Sequence, residues 1–191
     1  MTMSANRKKT VLRTVRLDQE LDSILRDDAD QSNLTVNGLI NRIMTKYSEW
    51  DRHAERFGFV SFARQTFKSI LEEVDDCKIE QIAFNAANTT LKAVTLFWFK
   101  ELTAETLVKT ISNYAKYSGL AASEIKVEGV QCTMTFRHDL GRKYSIYLKT
   151  VINQFFKTGL GVVPRTEVTY DTLLVSFHMP PSKAQKSELR H

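Results

Sequence analysis

The sequence is poor in residues that break or cross-link a chain. Its 191 residues include 7 glycines, 3 prolines and 2 cysteines, and two of the prolines are the adjacent Pro180 and Pro181. So little Gly and Pro argues against a long internal linker. Cys77 and Cys132 stand far apart and form no CxxC, so free thiols in a reducing compartment are expected. No apolar run approaches the ~20 residues of a membrane span, and the longest candidate, AVTLFWF at 93–99, is far too short. The N-terminal residues are polar and basic without an apolar segment, so no secretory leader is expected, and a cytoplasmic location is. HxH, HExxH, a phosphate-cradling glycine loop and a nucleophile–base pair are all missing. No enzymatic activity, metal or cofactor is therefore expected.

Acid is missing from residues 1–17, which carry Arg7, Lys8, Lys9, Arg13 and Arg16. From Asp18 to Asp30 the sign reverses, with Asp18, Glu20, Asp22, Asp27, Asp28 and Asp30 against Arg26. The net charge of +5 and pI near 9.2 are thus unevenly spread, and the N-terminal concentration suggests a polyanionic partner. Hydrophobic residues at 42% and charged residues at 26% imply that most of the chain folds around a core.

Residues 1–9 read as a flexible basic arm. Residues 10–17, TVLRTVRL, favour extended structure, with Val11, Val15 and Leu17 on one parity and Leu12, Thr14 and Arg16 on the other. Asp18 resembles an N-cap, followed by the helical stripe Leu21, Ile24, Leu25 and Ala29, which breaks at Gln31-Ser32-Asn33. Thr35 is the next cap, and Val36, Leu39, Ile40, Ile43, Met44 and Tyr47 mark a second amphipathic helix reaching about Trp50. One strand and two helices have too little core to stand alone, and the strand most simply pairs with its own copy.

Beyond residue 50 the periodicity predicts one helix through Phe59, Phe62, Ala63, Ile70, Leu71 and Val74, and a second through Ile79 to Trp98. A third is expected from Thr103 to near Gly119. IKVEGVQCTMTF, 125–136, alternates as strands with a turn or bulge at Glu128-Gly129. A fourth helix spans Tyr144 to Phe156, and TEVTYDTLLVSF, 166–177, reads as a hairpin turning near Asp171. PPSKAQKSELRH is expected to be a disordered tail. The expected class is α+β, with a module at 10–50, an α+β dimerisation or sensor domain at 51–179 and a tail at 180–191.

The text TVRLDQELDSILRDDADQSNLTVNGLINRIMTKY resembles the ribbon-helix-helix family of DNA-binding proteins, the group of the Arc and MetJ repressors. A short strand ends in an arginine-hydrophobic step and leads to a capped helix, a tight loop and a Thr-led aliphatic helix. The resemblance covers about a fifth of the chain, and on that basis the block is expected to form an intertwined homodimer whose antiparallel ribbon enters the major groove of double-stranded DNA. It implies that Leu12, Thr14 and Arg16 face the bases. Arg16 would donate two hydrogen bonds to a guanine, Thr14 would bond a base or touch a thymine methyl, and Leu12 stands where a polar residue is usual and would pack on thymine methyls. Thr35, Val36 and Asn37 would hold a backbone phosphate at the second helix's N-terminus, with Lys8, Lys9 and Arg13 adding salt-sensitive attraction.

Other readings compete. A basic N-terminal run is ordinarily a solvated tail, and Val11, Val15 and Leu17 would also suit an edge strand of the larger domain. In that domain Cys132 falls in the apolar set. His138 sits at a strand-to-helix junction, where a capping or surface role competes with a ligand role. Arg137, His138, Arg142 and Lys143, in RHDLGRK, form a basic turn before a helix that could receive an anionic small-molecule effector; the alternative is a solvated loop. Phe97, Trp98 and Phe99 could line a pocket or a dimer surface. The expected function is transcription regulation by a DNA-binding dimer, or a tetramer on DNA, with no membrane partner. The alternatives are an antitoxin-like interaction module and a small-ligand sensor whose N-terminal block only dimerises.

Overall fold

The computed structural model describes residues Val11–Met179; the basic arm with Lys8 and Lys9, Thr10, and the tail at 180–191 lie outside the described residues. The chain forms two compact units that meet between Ser48 and Glu49.

In the first unit the two expected caps start two helices. Asp18 has extended backbone and its carboxylate accepts the Leu21 N–H at 2.8 Å, opening α1 (Gln19–Gln31). Glu20 and Asp22 sit in its first turn, where the helix dipole favours negative charge. Asn33 then takes a left-handed conformation (φ 53°), and the Leu34 N–H donates to the Ala29 carbonyl at 2.8 Å. Thr35 caps α2 (Val36–Lys46) by accepting the Gly38 N–H at 3.1 Å. The two helices pack on each other and bury Ala29 and Leu39. Residues 11–18 carry no regular secondary structure, because a strand exists only against a partner and none of the chain's four described strands pairs with this stretch.

The second unit begins within a π-helical turn, Tyr47–Asp51, and not after Trp50 as the apolar spacing suggests. Trp50 is buried in this unit's aromatic cluster, stacked on Phe59 at 5.1 Å and edge-on to Tyr114 at 5.0 Å. A single turn, α3 (Arg52–Ala54), and a 3-10 turn, Glu55–Phe57, stop at Gly58, whose φ of 66° suits glycine. The helix expected from Phe59 therefore starts only at Arg64, as α4 (Arg64–Glu72). Packing of the Phe59 ring on Trp50 outweighs the helical spacing of Phe59, Phe62 and Ala63.

After an extended cap at Asp75 come α5 (Asp76–Ala86), a π-helical turn at Ala87–Leu91 and α6 (Lys92–Phe99) in continuous succession. Thr103 and Thr106 form a reciprocal capping box at the start of α7 (Ala104–Ser118), which ends on left-handed Gly119. The hairpin of β1 (Ala122–Glu128) and β2 (Gln131–Arg137) turns at Gly129, φ 61°. The long α8 (Gly141–Leu160) crosses to a second hairpin, β3 (Arg165–Val168) and β4 (Thr172–His178). The antiparallel sheet has the order β1-β2-β4-β3, so the two hairpins join through β2 and β4.

Register explains the core. Cys132, Met134 and Phe136 lie opposite Phe177, Val175 and Leu173, and all six are buried on one face. Helix α8 supplies Val151, Ile152, Phe155 and Phe156 against them, and α7 adds Leu107 and Ile111. Gly159 lets α8 approach α7, since a Cβ there would sit 2.8 Å from the Leu107 Cδ2. A smaller cluster of Leu71, Ile79, Leu140 and Tyr144 ties α4 and α5 to the start of α8.

Phe156 is fully buried and meets Phe177 at 4.6 Å between ring centroids. Phe156→Ala should lower the stability of the second unit by about 3–5 kcal/mol. Urea unfolding followed by fluorescence reads this directly, because both tryptophans, Trp50 and Trp98, belong to that unit.

Candidate functional site

In the first unit Leu12, Arg13, Thr14 and Arg16 are all exposed on the stretch before α1. Thr35 spends its hydroxyl oxygen on the Gly38 N–H. The Val36 and Asn37 N–H groups open the helix and have no intrahelical acceptor. The same unit leaves Val11, Val15, Leu21, Ile24, Ile43, Met44 and Tyr47 uncovered, with Val11 at 72% and Val15 at 71% exposure.

In the second unit the strand-to-helix junction at 137–145 has the denser chemistry. The His138 side chain is fully buried. Its Nδ1 accepts the Leu140 N–H at 3.3 Å, which leaves Nε2 to carry the proton and donate to Ser145 Oγ at 3.0 Å. Ser145 passes its own proton to the Tyr170 carbonyl at 3.2 Å. Asp171 binds the junction from the other hairpin: its carbonyl accepts the His138 N–H, and its carboxylate accepts the Gly141 N–H, both at 3.0 Å. Asp171 Oδ1 stands 3.8 Å from His138 Nδ1.

Serine, histidine and aspartate thus meet in the order of a hydrolytic triad, but the geometry serves structure. Ser145 is completely buried in α8, so its hydroxyl cannot reach a substrate, and Nδ1 is engaged by a backbone amide and not by the carboxylate. Burial drives the His138 pKa below that of an ordinary histidine, against the opposing pull of Asp171 and Asp139. Burial also raises the Tyr144 hydroxyl, whose ring meets His138 edge-on at 4.8 Å.

Beside this junction a shallow cleft of about 380 Å³ is lined by Arg64, Ala121, Arg137, His138, Asp139 and Asp171, among others. Arg64 donates to the Asp139 carboxylate at 2.7 Å and to the Gly119 carbonyl. The basic turn does not converge here. Arg137 and His138 line the cleft, while Arg142 binds Asp76 at 2.8 Å and Lys143 donates to the Glu72 and Val74 carbonyls at 2.6 and 2.7 Å. Lys143 thereby caps α4, and Arg142 holds the first turn of α5. Arg64 and Asp171 carry no local motif in the sequence, and only tertiary contact over tens of residues brings them to this junction, while Ser145 reaches His138 across seven residues as the chain turns into α8.

Phe97, Trp98 and Phe99 are half-buried, and Phe97 and Trp98 pack against His53, Phe57 and Trp50. Cys132 is buried in the core and Cys77 is exposed, both as free thiols. Among the described residues no three His, Cys, Asp or Glu side chains gather to hold a metal, and no helix is long and apolar enough to cross a membrane. Compared with known protein families, with curated proteins and with solved structures, the chain matches none.

The buried His138 has a pH consequence. Its folded-state pKa lies below the ordinary 6.5, so the unfolded chain binds a proton that the folded form refuses. Stability present above pH 6.5 should be lost as pH falls below it, and half-buried His53, also lowered, acts in the same direction. Urea midpoints measured from pH 7.5 down to 5, values chosen to bracket the ordinary histidine range, should decline. His138→Gln should flatten that decline more than His53→Gln does.

Proposed function

We propose that this chain is a dimeric, sequence-specific DNA-binding regulator whose first unit is a ribbon-helix-helix module. One observation carries the reading: among its described residues the first unit buries only Ala29 and Leu39 and leaves Val11, Val15, Leu17, Leu21, Ile24, Ile43, Met44 and Tyr47 exposed. Covering such side chains is worth ~1.5–3 kcal/mol for each Val, Leu, Ile or Met fully buried, so this surface is strongly driven to find a partner. These residues lie on the unpaired stretch before α1, on the two capped helices and in the turn that follows them. A second copy supplies a matching strand and helices through an isologous contact.

In this reading residues 10–17 of two chains form an antiparallel ribbon. Val11, Val15 and Leu17 turn inward to cover the helices. Leu12, Thr14 and Arg16 face the major groove, where Arg16 reads a guanine, Thr14 touches a base edge and Leu12 packs on thymine methyls. Arg13 and the Val36 and Asn37 N–H groups contact the phosphodiester, with Thr35 holding the helix end that presents them. Lys8 and Lys9 of the arm add counterion-releasing contacts. The second unit adds assembly contacts or senses an anionic effector through the cleft at Arg137 and His138.

Sedimentation at micromolar concentration should detect dimer and no folded monomer; a well-folded monomer with intact helices would overturn the reading. Arg16→Ala should cost about 1–3 kcal/mol per half-site on the chain's own operator, obtained by footprinting its promoter region, and much less on random duplex. Equal losses on both would make Arg16 a phosphate contact. Lys8→Ala or Lys9→Ala should weaken both DNAs alike and lower the salt slope by about 1.

A further inference from the structure

Two cations of the second unit lie on one phenyl ring, and a third is tied to the histidine beside it. The Arg56 guanidinium carbon lies 4.4 Å from the Phe97 ring centroid, and the Lys100 ammonium lies 5.1 Å from it. The His53 ring meets Phe97 edge-on at 5.1 Å, and Arg52 Nε donates to His53 Nε2 at 2.9 Å. The two charges on Phe97 are therefore closer to each other than about one Debye length at 0.1 M salt, ~10 Å. Arg52, Arg56 and Lys100 are all exposed. Among the described residues no carboxylate pairs with any of the three. Elsewhere in the unit Arg64, Lys109, Lys116 and Arg142 each hold an acid within 4.0 Å.

The arrangement has a cost that the fold does not require. One cation satisfies the face of one ring, and a second beside it adds repulsion. The local positive potential is also felt at His53, whose pKa is lowered first by burial and then by Arg52 and Arg56. Stacking fixes Arg56 by its face and leaves its in-plane N–H fork directed outward, and the bond to His53 steadies Arg52. Lys100 is held at the left-handed end of α6, φ 63°. Three donors are thus held at one patch, and among the described residues none of them is paired with a carboxylate, although Asp51, Glu55 and Glu101 adjoin them in sequence.

We propose that Arg52, Arg56 and Lys100 form a contact surface for the phosphate backbone of a nucleic acid. The planar arginine forks match the oxygens of phosphate in bidentate geometry. Exposed single ion pairs are weak, so the partner has to offer several anionic groups in a row. That the nucleic acid is duplex DNA rests on the function proposed above. Such a contact adds affinity and salt dependence but reads no sequence.

The test uses the full-length chain and a random-sequence DNA duplex, titrated by fluorescence anisotropy over a range of salt. The triple variant Arg52→Gln, Arg56→Gln, Lys100→Gln keeps a polar side chain at each position and removes the charge. It should weaken binding several-fold at low salt and reduce the log affinity–log salt slope by about 2–3, near 0.9 per contact. A control with the same charge change, Lys68→Gln, Lys149→Gln, Lys157→Gln, should keep the slope. An unchanged slope in the first variant, or an equal fall in the control, overturns this contact while leaving the DNA-binding function standing. Wild-type protein that binds no DNA at any salt overturns both. Poly-glutamate that displaces the duplex as well as polyphosphate at equal charge reassigns the patch to an acidic peptide. Circular dichroism checks the variant's fold; if it is lost, Lys100→Gln alone should lower the slope by about 1.

Discussion

The contact between α8 and the inner face of the sheet is the interaction on which the second unit depends. Phe155 and Phe156 lie against a face built from Cys132, Met134 and Phe136 on one hairpin and Leu173, Val175 and Phe177 on the other. Neither hairpin has a stable face by itself, and two-stranded ribbons are marginal in water. The helix that joins them in sequence is also the helix that covers them once β2 and β4 pair. Its first turn reaches the smaller cluster through Tyr144, and Lys143 and Arg142 fasten the corner between α4 and α5. A defect in α8 therefore touches both cores.

The His138 junction follows from that architecture. The end of β2 has to turn sharply into α8 while the turn of the second hairpin passes beside it. Backbone amides at the bend need acceptors, and the His138 ring, the Asp171 carboxylate and the Asp171 carbonyl supply them. A neutral imidazole accepts on one nitrogen and donates on the other, and so serves both the bend and Ser145. Arg142 and Lys143 are thus tied to neighbouring elements, and of the four basic-turn residues Arg137 remains exposed beside the cleft with no ion pair of its own among the described residues.

The first unit is organised on a different principle. Its helices are capped by their own sequence and their junction is set by a left-handed Asn33, yet the pair buries little. Local hydrogen bonding specifies the shape while the apolar surface remains to be covered. This suits a module completed by association, and it makes folding and partner choice one free-energy question.

Local signals were enough where the physics is local. The caps at Asp18, Thr35 and Thr103, the stops near Gln31–Asn33 and Gly119, the alternation of Cys132, Met134 and Phe136, and the hairpin turns at Gly129 and near Asp171 are set by side chains within a few residues of the backbone they satisfy. The concentration of positive charge before Asp18 was likewise legible as text. Tertiary structure alone decided where long-range packing competes with periodicity. Phe59–Ala63 has helical spacing but stays irregular because Phe59 stacks on Trp50, and Trp50 belongs to the second unit for the same reason. Arg142 and Lys143 read as part of one basic turn, but successive positions on a helix point in different directions, and both turn to the α4–α5 corner. The gathering of Arg56 and Lys100 on Phe97, with Arg52 held beside them by His53, left no mark in the sequence, because the ring stands more than forty residues from both arginines.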